Sequence, residues 1–248
     1  MQQLVAEILA GKEPADLVVL AIPFVAVPLL SVRVRLKLGK TDPAHFPRLK
    51  IYARSVASQL LLVVCVAVLW WTRGRPFSAL GLDLPLTFEG EMGLVVAATS
   101  AVVLITYLLS VLPRLDGERR ARFLERLSQS KIAPRTPREA LAFAPVALSA
   151  GISEELVYRG FLFWFLTPGI GLTASVAASA VIFGAGHVYQ GWRGMASTAG
   201  VGLLLGALYA VSGSLWWVMA LHALIDLQYC VIGLFVARWN RGTASGGG

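Results

Sequence analysis

ALAFAPVALSAGISEELVYRGFLFWFL (Ala140–Leu166) is apolar along almost its whole length, yet holds Glu154, Glu155 and Arg159 near its middle. About 20 apolar residues suffice to cross ~30 Å of hydrocarbon, so a run of this kind reads as a membrane helix. Charges at such depth cost about 2.5–3.5 kcal/mol each on insertion scales and face a protein interior or a wet cavity. The stretch therefore poses both the fold and the chemistry.

The rest of the chain supports a membrane setting. It has 248 residues, 56% hydrophobic and only 15% charged, with a mean hydropathy of +0.69. Soluble chains run at roughly 45–50% apolar and about 25% charged. Apolar runs bounded by Pro, Gly and charge fall at about Leu17–Val34, Ile51–Thr72, Gly90–Leu112, Arg138–Leu166, Leu172–Val188, Gly194–Val211 and Ser214–Phe235. No barrel-type alternation occurs, so helices must satisfy the backbone in lipid. The expected fold is all-α, a polytopic transmembrane bundle of about seven or eight helices. One membrane domain covers 1–248: N-terminal helices and basic loops over 17–136, a core over 137–235, and a flexible tail over 236–248.

The net charge of +8 sits mainly in two loops, Arg33 to Arg54 and Arg114 to Arg138. That is the pattern of cytoplasmic membrane loops and not of a nucleic-acid surface. It predicts an outside N-terminus and a cytoplasmic C-terminus. Within the second loop, Leu115, Phe123, Leu124 and Leu127 alternate with arginines, as in a basic amphipathic helix on the membrane surface. The N-terminal MQQLVAEILAGKEPAD has no basic leader or cleavage site, so the first apolar run reads as a retained anchor. Cys65 and Cys230 lie in apolar runs and read as core residues. The 17 arginines against 5 lysines hint at a high-GC bacterial genome and hence a bacterial cytoplasmic membrane.

After Glu139 the remaining acids are Glu154, Glu155 and Asp226, and the remaining histidines are His187 and His222. All lie within or at the end of apolar segments, which is most simply explained by convergence on one site. Glu155 and Arg159 are four apart, Glu first, and share a helix face. Glu154 lies about 100° around the helix and is left as the free carboxylate, a candidate general base. The alternative is a Glu–Arg bridge that only locks packing. Phe183 and His187 are also four apart, with Gly184 and Gly186 permitting close approach. His222 and Asp226 share a face, and a carboxylate on one imidazole nitrogen would fix the tautomer of the ring. Two lengths bear on convergence. Arg138–Leu166 is too long for one perpendicular span and must tilt, protrude or break near Pro145 or Gly151. Leu172–His187 is too short, so His187 should end inside the membrane, level with Glu154.

EELVYR, FGAGH and HALID resemble, in order, the Glu-Glu-x-x-x-Arg, Phe-x-x-x-His and His-x-x-x-Asp/Asn motifs of the CAAX protease and bacteriocin-processing (Abi) family. These are intramembrane proteases related to type II CAAX prenyl endopeptidases. FSALGLDLP is similar to a Leu-Gly-Leu element that family members often carry. The resemblance implies a peptide-bond hydrolase in which Glu154 activates water, His187 helps hold it, and His222 donates to the oxyanion. Asp226 stands where Asn is common; an ionised Asp accepts and cannot donate, so its expected role is to orient His222. The implied substrate is a peptide or protein, prenylated or membrane-embedded, at the lipid bilayer. No cofactor is favoured. In a metal-dependent variant, Glu154, His187, His222 and Asp226 would be the Zn²⁺ ligands. Rival readings are a scaffold or bacteriocin-immunity protein that keeps the polar cluster for packing, and a transporter, for which the expected repeats are absent.

Overall fold

A computed structural model describes residues 2–40, 46–84, 86–129 and 132–245. All regular structure among them is helical. A short helix α1 (Gln2–Leu9) precedes α2, which runs Pro14–Ala21, through a π turn at Ile22–Ala26 around Pro23, into Val27–Lys40. Helices α3 (Arg48–Thr72) and α4 (Phe88–Val111) follow, then the short α5 (Gly117–Gln129). The core begins with α6, comprising Pro137–Glu155, a π turn at Leu156–Phe161, and the first part of Leu162–Ala185. Gly171 breaks that last element with φ 76 and ψ 164, conformations a β-carbon disfavours, so residues 172–185 form a separate helix, α7. Helices α8 (Gly191–Ser212) and α9 (Leu215–Ser245) complete the chain.

Six segments are long and apolar enough to cross a membrane, the fourth being Pro137–Ala185. The Gly171 break makes that fourth segment two helices, α6 and the shorter α7. The protein is an integral, multi-pass membrane protein. Residues 137–170 make ~51 Å of helix at ~1.5 Å per residue, more than the ~30 Å hydrocarbon thickness. Residues 172–185 make only ~21 Å, so α7 is short of a full crossing, as its sequence suggested.

The break falls at neither Pro145 nor Gly151. Gly151 instead lets α6 and α9 touch: a β-carbon there would lie 2.8 Å from the Met219 carbonyl and 2.9 Å from the Ala223 methyl. Replacing Gly151 with Val should therefore lower thermal stability in detergent by about 1–3 kcal/mol through overpacking. An unchanged melting midpoint would contradict that contact. At the far end of α6, Pro168 has no N–H for the Trp164 carbonyl one turn back. The Lys12 ammonium donates to that carbonyl at 3.1 Å and sits 3.4 Å over the Trp164 ring. Beside it, Arg75 makes two hydrogen bonds, of 2.6 and 2.8 Å, to the fully buried Asp16. Lys12→Met strands a carbonyl and should cost about 1–3 kcal/mol of stability, read as a lower midpoint.

The FSALGLDLP element has a concrete task. A 3₁₀ turn at Phe77–Leu80 ends on Gly81, φ 75, whose carbonyl accepts the Leu215 N–H at 2.8 Å. The Leu82 carbonyl accepts Trp216 Nε1–H at 3.1 Å. The element thus satisfies donors at the start of α9. The apolar face of α5 meets protein: Phe123, Leu124 and Leu127 pack on a cluster of Leu108, Leu112, Ile232 and Val236. Phe123 contacts Trp239 edge-on at 6.1 Å. With Trp239 anchored there, α9 continues as helix to Ser245, where a flexible tail was expected from 236. The end of that tail, 246–248, and parts of both basic loops, 41–45 and 130–131, lie outside the described residues.

Candidate active site

The π turn at Leu156–Phe161 falls on the charged motif, and turns of this kind frequently mark functional positions. It buries Glu155 and Arg159 completely, each 0% exposed. Arg159 Nη1 donates to Glu155 Oε1 at 2.7 Å, and Nη2 donates to the Gly202 carbonyl of α8 at 2.8 Å. Its guanidinium also lies 4.8 Å over the Phe183 ring. Glu155 Oε1 takes a second bond, from His222 Nδ1 at 2.6 Å. The Glu155–Arg159 pair thus ties α6, α8 and α9 together, the carboxylate through His222 and the guanidinium through Gly202.

That bond changes the assignment of the orienting group. The shared face of His222 and Asp226 suggested that Asp226 fixes the ring. The structure gives the Nδ1 bond to Glu155, because the Gly151 contact draws α6 against α9 at this level. Asp226 Oδ2 lies instead 3.8 Å from His222 Nε2, and Glu154 Oε2 lies 3.9 Å from the same nitrogen. These separations exceed a direct hydrogen bond. Glu154 and Asp226 are the accessible carboxylates of the group, with side chains 26% and 29% exposed. Burial therefore splits the two glutamates as their helix positions suggested, one sealed and paired, the other open.

His187 follows α7 directly, after Gly186 at its C-cap, and begins the 3₁₀ turn Val188–Gln190. Its Nδ1 is 2.8 Å from the Phe183 carbonyl. A carbonyl only accepts, so Nδ1 carries the proton, and in the neutral ring Nε2 keeps its lone pair. Phe183 stands between the two imidazoles, 4.8 Å from the His187 ring and 5.8 Å from the His222 ring. Asp226 lies within electrostatic reach of His222, Glu154, His187 and Glu155. Glu154, Glu155 and Asp226 thus surround His222, and Phe183 links that ring to His187 and Arg159.

Among the described residues, no three His, Cys, Asp or Glu side chains converge closely enough to hold a metal ion. A separate apolar cavity of about 320 Å³ is lined by Val66, Phe77, Leu82, Ile152, Leu156 and Met219, among others. Positions 152 and 156 lie about 200° around α6 from Glu154, so this cavity opens on the opposite face of the helix. Sequence reasoning passed over Tyr158, four residues after Glu154 and only 4% exposed, although the spacing was visible. It also passed over the Gly202 carbonyl, for which no side-chain signal exists.

Six apolar segments long enough to span, with a buried Glu–Arg–His network and two accessible carboxylates beside it, define a polytopic membrane protein with a polar intramembrane centre. Residues 136–228 match the family model described as Type II CAAX prenyl endopeptidase Rce1-like, so the family likeness read from the three motifs stands for this segment. The match starts at Thr136, the N-cap of α6, and ends in α9 just beyond Asp226, so it covers all the gathered residues. This likeness supports a protease of the CAAX type acting on a membrane-associated protein substrate. No curated protein and no solved structure gives a significant match to the chain.

Proposed function

We propose that the protein is an intramembrane endopeptidase in which Glu154 activates the attacking water. The observation that carries this reading is the contrast between the two adjacent glutamates. Glu155 is sealed against Arg159 and His222, while Glu154 is open and faces His222 Nε2. A water between Glu154 and His187 would give one hydrogen to the carboxylate and the other to the Nε2 lone pair. Both partners accept, so an oxygen lone pair stays free to attack.

Glu154 takes a proton as the water oxygen bonds to the scissile carbonyl carbon, and the carbonyl oxygen becomes an oxyanion. His222 Nε2 can donate to that oxyanion when the ring carries both protons, since Nδ1 is committed to Glu155. Collapse breaks the C–N bond, and Glu154 returns its proton to the leaving amine. Asp226, 3.8 Å from Nε2, supports the charged imidazole. No cofactor enters this scheme. The substrate classes it fits are prenylated C-termini, peptide leaders and membrane-protein segments, and the charge bias supports a cytoplasmic C-terminus.

A packing role has an observation of its own, because the Glu155–Arg159–Gly202–His222 network binds three helices together. It accounts for the sealed pair but gives no reason for Glu154 and Asp226. One experiment separates the readings. Wild type, Glu154→Ala and His187→Ala are purified in detergent, shown to be folded, and mixed with a peptide library that includes prenylated members. Cleavage by wild type alone, surviving strong chelation, supports the proposal. Equal cleavage by all three, or none by wild type, would overturn it, and loss on chelation would favour the Zn²⁺ variant.

A further inference from the structure

Tyr158 is 4% exposed, and no group among the described residues hydrogen-bonds its hydroxyl. Its neighbours leave it little freedom. The Tyr158 carbonyl accepts the Ser179 hydroxyl at 2.9 Å, and its ring meets Phe183 edge-on at 5.0 Å. The hydroxyl points toward the turn that carries His187: a β-carbon at Gly186 would come within 3.2 Å of its oxygen. Glu154 and Tyr158 are four apart on α6 and lie within electrostatic reach of each other. The hydroxyl therefore projects from the helix of the base against the turn of the second histidine.

A buried hydroxyl without a partner costs about 1–3 kcal/mol, which favours a partner that arrives with the substrate. The site is rich in acceptors and poor in donors. Glu154 and Asp226 accept when ionised, His187 Nε2 accepts in its neutral form, and His222 offers one donor at most. An Asn at 226 would bring an amide donor that Asp226 lacks. Resting on the protease reading above, we infer that the Tyr158 hydroxyl is a second hydrogen-bond donor to the substrate carbonyl oxygen as it becomes an oxyanion. The role is catalytic, since the hydroxyl touches a reacting atom, and the bond strengthens as negative charge develops.

Tyr158→Phe removes only the hydroxyl. Steady-state cleavage by the purified variant should show kcat reduced about 10²-fold with KM little changed, the usual cost of one oxyanion donor. The thermal midpoint should hold or rise, because the deleted oxygen has no partner among the described residues. An unchanged kcat, a change confined to KM, or a lowered midpoint would overturn the assignment while leaving the role of Glu154 intact. Absence of cleavage by wild type would overturn the protease reading and this assignment with it.

Discussion

Glu154→Gln should reduce peptide cleavage on the order of 10³-fold or more, with helix content and melting midpoint essentially unchanged. The amide matches the carboxylate in size but cannot accept a proton at the moment of attack. Stability should survive because Glu154 is 26% exposed and its nearest ionic partner, His222 Nε2, is 3.9 Å away. The bonds that hold the helices together belong to Glu155. Kinetics beside a melting curve checks both halves. Residual activity within tenfold of wild type would remove Glu154 from the mechanism.

Arg159→Met should act on the fold. Arg159 is fully buried, and its guanidinium holds both the Glu155 carboxylate and the Gly202 carbonyl. Methionine fills similar volume but leaves a buried carboxylate with only His222 as a partner. Breaking one half of a buried pair costs about 3–5 kcal/mol, enough to remove much of the stability of an ordinary domain. The expected result is a sharply lower midpoint and poor recovery from the membrane, with activity lost in proportion to folded protein. Replacing Glu155 and Arg159 together by Leu and Met should cost less than the single change, since no charge is stranded. It should still impair cleavage, because His222 loses the acceptor that fixes its tautomer. A double variant as unstable as Arg159→Met would contradict this account of the pair.

The sequence made the helices legible because lipid allows few alternatives for an apolar run of this length, and the Glu155–Arg159 pair because i, i+4 spacing acts within one helix. Contacts between helices were harder to read. Glu155 and His222 are far apart in the chain, and they meet because Gly151 admits α9 at one level of α6. A glycine in an apolar run is equally consistent with a break or a close contact, and here Gly171 is the break while Gly151 is the contact. Asp226 was read as orienting its neighbour His222 because same-helix spacing was the available guide. The Lys12–Trp164 bond answers a proline 156 residues from the lysine, a pairing visible only once α1 and α6 are placed. The Tyr158 spacing was in plain view, yet a tyrosine in an apolar helix carries no signal until its hydroxyl is seen without a partner.

The central claim is that a water activated by Glu154 attacks the peptide carbonyl directly. Single-turnover cleavage in H₂¹⁸O, with enzyme in excess over peptide, tests it most directly by mass spectrometry of the new product carboxyl. Direct attack predicts one ¹⁸O atom in that carboxyl on the first turnover by wild type, and no product from Glu154→Gln on the same timescale. An unlabelled product carboxyl with ¹⁸O in the side chain of Glu154 would instead mean that the glutamate attacked the substrate itself, and would contradict the account.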